Sequence, residues 1–336
     1  MCKSMKALVL TEDRTLVMRE APVPAPGPDE ILIKTGAALI CTSDINDIRG
    51  NSFGIRLPMI LGHEGAGTVA EIGADVTGFN IGDAVAAHPV VPCYACDSCR
   101  RGLPHLCDDM GHLGIDRGGT FAGYFALRAD RVRRIPKGMA FTTAALMEPV
   151  CVCLEAIERA RVPAGGTVLV AGDGPFGVII ANLCAAIKDI KVILLGRHEF
   201  RMGYAGDAIK IMDGPDALQS VIEASGGGVD SAIMCAGTNS ALDICVAALK
   251  SRGTLSVFSA IHGTAKVDML RVHIKELNIC GSCNDMDFPD DAVERLASGD
   301  LGRIVTHRFP LDGYAAAFDI AANGKDNALK VAFTEF

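Results

Sequence analysis

Four thiols crowd into one short stretch of this sequence: Cys93, Cys96, Cys99 and Cys107, spaced C-x2-C-x2-C-x7-C. A tetrahedral zinc ion takes four thiolates at about 2.3 Å, and such a shell is closed, with no position left for substrate. The spacing therefore points to a structural zinc lobe, with an iron–sulfur cluster as the rival occupant. A second stretch, Gly62-His63-Glu64-Gly65-Ala66-Gly67, sets an imidazole beside a carboxylate ahead of a strand-like run at 68–72. Both are metal ligands, but alone the pair is a weak signal, as short motifs are. Adjacent side chains diverge on a strand, so His63 and Glu64 can share one ion only if the chain turns there.

A third stretch carries nucleotide chemistry. Gly172-Asp173-Gly174-Pro175-Phe176-Gly177 follows the apolar run 167–171 and opens a helical run at 178–187. In that setting the glycines let the backbone turn tightly and approach a pyrophosphate, whose charge meets the helix N-terminus. The next strand ends in an acid where the cofactor is NAD, because a carboxylate accepts the ribose 2′-hydroxyl. Here it ends Leu194-Leu195-Gly196-Arg197-His198. Gly196 makes room, and Arg197, joined by Arg201, can pair with a 2′-phosphate. The sequence thus predicts NADP(H) over NAD(H), with Glu199 as the residue that would serve NAD instead.

The elements that must position these groups change character along the chain. Up to about residue 150 the pattern is mostly β: short strands at 6–9, 15–19, 30–38, 68–72, 84–87 and 122–127, with a proline-rich connector at 21–28 that cannot sit inside a sheet. Thr42, Ser43 and Asp44 just past a strand mark a helix N-terminus. From 152 the period becomes helical. Apolar runs at 167–171, 192–195, 231–235, 254–259 and 277–280 then alternate with helical connections, the βαβ pattern of an open parallel sheet. Past 288 the chain returns to a helix, a strand at 306–309, a helix at 311–323 and a strand at 328–333.

Composition excludes other classes. An apolar content of 49% rules out a disordered chain, and 336 residues suit two cores. With net charge −8 and its basic residues scattered, the chain predicts no nucleic-acid partner. The apolar stretch 167–187 is broken by Asp173, Pro175 and the fingerprint glycines, so no membrane span is expected. The segment Met1-Cys2-Lys3-Ser4-Met5-Lys6 precedes too short an apolar run for a signal peptide, which predicts a cytoplasmic protein with reduced thiols.

Cys41 in a turn, Gly62-His63-Glu64-Gly65, Glu148-Pro149, the four-cysteine lobe and the nucleotide fingerprint together resemble the zinc-dependent medium-chain dehydrogenase/reductase family over nearly the whole chain. Its polyol, sorbitol-like branch is the most similar. The resemblance implies an α/β fold, with a GroES-like β-rich catalytic domain at 1–150 and 288–336 and a doubly wound Rossmann domain at 151–287. It further implies two zincs per chain. The catalytic one is held by Cys41, His63 and Glu64, with Glu148 either a fourth ligand or displaced by water and substrate; the structural one is held by Cys93, Cys96, Cys99 and Cys107. Ser43 matches the position whose hydroxyl passes the alcohol proton onward, and Asn46 stands where relatives often place a histidine. The implied reaction interconverts a secondary alcohol and a ketone, on a polyol, sugar, cyclitol or aminocyclitol. A homodimer or homotetramer is implied as well, with the strand at 254–259 as an edge for sheet pairing. A zinc-free NADPH quinone or enoyl reductase and a catalytically silent NADPH-binding protein are the rivals on the same fold. His88, His105, His112, His262, His273 and His307 are left without a role.

Overall fold

The computed structural model describes residues 3–52, 54–261 and 263–336, so the Met1-Cys2 start and His262 lie outside the described residues. The chain divides into two units: Met1–Glu148 with Pro289–Phe336, and Pro149–Phe288.

In the first unit the longest strand, Glu30–Leu39, buries most of its length because other strands cover both its edges. Along one edge it pairs antiparallel with Glu64–Ile72, which pairs in turn with Ala84–Ala87 and then Val132–Arg134. Elsewhere it pairs with Tyr124–Arg128 and, near its end, with Lys330–Glu335, which runs parallel to Val305–Pro310. The register sets Leu39 opposite both Glu64 and Ala332. A smaller sheet joins Ser4–Leu10 to Leu16–Pro22 and Met59–Ile60. Pro22 ends an edge strand, where a missing N–H costs no ladder bond. Among the described residues one core forms here around Ile31, Ile33, Val69, Phe125 and Leu127, another around Leu10, Leu61, Phe121, Val331 and Phe333, and a smaller one around Met5, Ala7, Val9 and Ala122. In the second of these, Phe121 meets Phe333 edge to face, centroids 5.2 Å apart.

The second unit is a six-stranded parallel sheet in the order Ile209–Met212, Lys191–Gly196, Thr167–Ala171, Val229–Met234, Leu249–Val257, Asn278–Gly281. Its central strand Thr167–Ala171 is buried along its whole length, which explains the unbroken apolar run in the sequence. Two expectations change. Ile209–Met212, Ile-Lys-Ile-Met, is a strand the sequence pattern missed: four residues are too short a run for a period to stand out, and three of them are exposed at the sheet edge. The strand containing 254–257 is not an edge: it is paired on both sides, and on that side of the sheet the edge strand is Asn278–Gly281. No helix among the described residues is long and apolar enough to cross a membrane.

Phe333 is fully buried between Phe121 and Phe318. Phe333→Ala is expected to destabilise the protein by about 3–5 kcal/mol, read as a lower denaturant midpoint at unchanged slope; a loss under about 1 kcal/mol would mean the cluster closes over the cavity.

Candidate metal centre and nucleotide cleft

Cys41 lies just past the strand Glu30–Leu39 and is the N-cap of the helix Thr42–Gly50. His63 sits in the turn before Glu64–Ile72, and Glu64 is that strand's first residue. Gly62 makes the turn at φ +92, and a Cβ there would fall 2.6 Å from Phe121 and from Thr120. With the turn placed just ahead of His63, the two neighbouring ligands converge. The donor atoms of Cys41, His63 and Glu64 all lie within 4.8 Å of one another, close enough to share one ion.

Asp44 organises this corner. One of its oxygens accepts from the Cys41 N–H at 2.8 Å, closing the helix N-terminus, and the other lies 3.5 Å from His63 Nδ1. A carboxylate at Nδ1 fixes the ring's proton there and leaves Nε2 as the donor atom, the arrangement that orients metal-bound histidines. Burial opposes a charge on His63, but Asp44 and then Cys41 more than offset it and hold the imidazole pKa well above its usual value. An arriving cation would displace that proton. Ser43 Oγ stands 3.5 Å from His63 Nε2. In sequence, Asp44 signalled only a helix start.

Glu64 is fully buried, and its Oε1 is 2.7 Å from Lys330 Nζ, itself 2% exposed. Oε2 is buried with no hydrogen-bond partner among the described residues. Such an orphaned carboxylate oxygen is costly unless a cation satisfies it. Burial opposes the Lys330 charge, yet Glu64, Cys41 and Glu148 raise its pKa above the usual lysine value. Glu148 is felt at Lys330 but is not within the converging group of three. His112, which the sequence left without a role, packs edge-on against His63 with centroids 5.5 Å apart. Its Nδ1 donates to the Leu113 carbonyl at 2.7 Å, and burial followed by His63 pushes its pKa down to about 3, so the ring is neutral.

The four sulfurs of Cys93, Cys96, Cys99 and Cys107 also lie within 4.8 Å of one another. Backbone N–H groups point at them: Ala95 and Cys96 at Cys93, Cys99 and Asp108 at Cys96, Cys93 at Cys107, at 3.3–3.5 Å. Those dipoles favour thiolates. Cys93 is held down at about 7 by the Ala95 and Cys96 amides, whereas desolvation pushes Cys99 up to about 12.

In the second unit, Gly172, Gly174 and Gly177 each do different work. Gly172 turns at φ +131, where a Cβ would press on the Cys235 backbone at 2.9 Å. A Cβ on Gly177 would overlap the Gly172 carbonyl at 1.9 Å, while Gly174 faces open space at the N-cap of the helix Pro175–Ala185. Pro175 opens that helix, and Phe176 packs edge-on against Phe258. The cradle borders a cleft of about 180 Å³. A phosphate can approach only where no Cβ stands, so the residues present fit a dinucleotide.

The structure places three of the residues expected at this cleft as follows. Gly196 makes room for Asp173 rather than for a phosphate, since a Cβ there would fall 2.5 Å from Asp173 Cβ. Asp173 is 8% exposed and accepts from the Arg197 and His198 amides at 2.7 and 2.5 Å and from His198 Nδ1 at 3.0 Å. Arg197 lines the cleft but is already paired, its Nε 2.9 Å from Asp213. Arg201 lies on the short helix Glu199–Met202 and, like Glu199, is not among the residues lining the cleft.

The chain matches two known families. The alcohol dehydrogenase GroES-like domain family matches residues 27–137, and the zinc-binding dehydrogenase family matches 175–298. A sorbitol dehydrogenase of Bacillus subtilis (strain 168) is 31% identical, over 98% of this chain and 97% of that protein. Among solved structures, a protein of Sinorhizobium meliloti 1021 described as a zinc-binding dehydrogenase, bound to NADP, superposes with TM-score 0.91 at 27% identity over 99% of both chains. An alcohol dehydrogenase of Escherichia coli CFT073 complexed with NADH gives TM-score 0.91 at 25% identity, over 98% of this chain and 99% of that one.

Lys330→Met leaves Glu64 buried beside an apolar side chain. In metal-free protein this is expected to lower stability by about 3–5 kcal/mol in urea, with the double variant Glu64→Gln, Lys330→Met recovering part of the loss; equal losses in both variants would show that packing, not charge, sets the effect.

Proposed function

Because the chain belongs to the zinc-dependent medium-chain dehydrogenase/reductase family, in its polyol dehydrogenase branch, we propose that it interconverts a secondary alcohol and a ketone of a polyol, sugar, cyclitol or aminocyclitol with NADP(H) as hydride carrier. The observation that carries this reading is the convergence of Cys41, His63 and Glu64 on one point, with a buried Glu64 oxygen left over. One thiolate, one imidazole and one carboxylate hold zinc while leaving a position for substrate. Glu148 supplies a further carboxylate, as a fourth ligand or one displaced by substrate. Cys41, His63 and Glu64 would hold a zinc ion that would supply Lewis-acid polarisation of the alcohol oxygen, and the glycine cradle would hold a nicotinamide cofactor that would supply the hydride acceptor.

The chain's own residues do the rest. Asp44 orients His63, Lys330 holds Glu64 by one oxygen, and Ser43 takes the alcohol proton through its hydroxyl. Asn46, on the same helix as Ser43, cannot titrate, so the proton leaves Ser43 through water. Cys93, Cys96, Cys99 and Cys107 hold the second zinc in a closed thiolate shell. The NADP preference is supported by Arg197 at the cleft, although it is paired with Asp213, and by the NADP-bound Sinorhizobium neighbour, against the NADH-bound Escherichia neighbour. A homodimer or homotetramer formed through the free edge Asn278–Gly281 is supported by Met269, Leu270 and Ile274 on the nearby helix Met269–Lys275, each about two-thirds exposed.

A panel of polyols, cyclitols and simple secondary alcohols assayed with both nucleotides, on protein analysed for two zincs per chain, tests the reading. Turnover of a hydroxyl-rich alcohol with kcat/KM higher for NADP than for NAD is the expected outcome; a clear NAD preference would overturn the cofactor choice, and no turnover by a two-zinc preparation would overturn the activity. Ser43→Ala is expected to lower kcat about 100-fold, the scale of one positioned proton-transfer group; an unchanged kcat would remove Ser43 from the mechanism.

A further inference from the structure

The nucleotide cleft contains a carboxylate that the fingerprint does not announce. Asp213 follows the edge strand Ile209–Met212, and its N–H donates to the Gly196 carbonyl at 2.7 Å, so the backbone fixes its place beside the tip of Lys191–Gly196 whatever its side chain. Its Oδ2 lies 2.9 Å from Arg197 Nε, with Asp213 22% exposed and Arg197 61% exposed. Both line the cleft, together with Asp173 and His198. Asp173 is buried and spends its acceptors on the two tip amides and on His198 Nδ1, so it holds the loop and offers little to a ligand. Arg197 is the one guanidinium lining the cleft, and its charge is already matched by Asp213.

The two nucleotides meet this arrangement differently. A 2′-phosphate dianion needs Arg197 and is repelled by Asp213, which competes for the same guanidinium. A 2′-hydroxyl can donate to Asp213 and asks nothing of Arg197. We propose that Asp213 is the residue that sets the balance between NADP(H) and NAD(H), by holding Arg197 back from the 2′-phosphate. This deepens the cofactor assignment above and rests on the nucleotide site proposed there.

The test is calorimetric titration of the full chain with adenosine 2′,5′-bisphosphate and adenosine 5′-monophosphate. Asp213→Asn keeps the side-chain shape and removes the charge. It is expected to tighten the bisphosphate about tenfold, the effect of deleting one nearby like charge in a partly solvated cleft, and to leave the monophosphate unchanged or weaker. The monophosphate also reports that the variant cleft is folded. In an Arg197→Ala background most of the gain should vanish, because it acts through Arg197. Equal changes for both ligands, a full gain without Arg197, or a bisphosphate that binds neither protein would each overturn the proposal. The wild-type preference is a separate matter: an NAD-preferring wild type whose Asp213→Asn variant gains bisphosphate affinity overturns the NADP assignment and upholds the role of Asp213.

Discussion

The ion pair between Glu64 and Lys330 is the constraint on which the first unit's chemistry depends. Both groups are buried, and in a low-dielectric setting neither charge is tolerable without the other. The pair spends one carboxylate oxygen and leaves the second buried without a hydrogen-bond partner among the described residues. A site of this kind is poised rather than satisfied. Sheet register makes the pair possible, since Leu39 faces Glu64 on one side and Ala332 on the other, two residues from Lys330.

Asp44 and Asp173 illustrate one device in two places. Each is a buried acid that accepts from backbone amides, and through that grip each orients a histidine. At the metal centre the result is an imidazole with Nε2 turned to the donor group. At the nucleotide cleft it is a fixed loop in which Arg197 and His198 are presented together. Hydrogen bonds to charged groups are strong and directional, which is why a single carboxylate can set the geometry of a turn and of its side chains.

Much of the fold was legible because its signals are local. The apolar run at 167–171 reads as a doubly covered strand, and the structure buries every one of its residues. The fingerprint glycines announce themselves by what a Cβ would strike, a matter of neighbouring backbone. Ile209–Met212 was missed for the opposite reason: its apolar residues, Ile209, Ile211 and Met212, are interrupted by Lys210 and span only four positions, too few to show a period. The edge of the sheet was misplaced because strand order is not written in strand composition. Leu249–Val257 and Asn278–Gly281 differ mainly in which has a neighbour on its far side.

The sequence by itself determined the donor types, the spacing of the four-cysteine lobe and the phosphate cradle, because ligand chemistry and turn geometry are encoded within a few residues. Only the tertiary structure decided that His63 and Glu64 converge, that Gly196 yields its space to Asp173, and that Arg197 is already held by Asp213. Lys330 is the clearest case: it stands 266 residues from Glu64 and inside an apolar strand, and nothing short of the sheet register could bring the two together. Charge compensation is a property of space, and a buried group's partner is whichever residue the fold delivers to it.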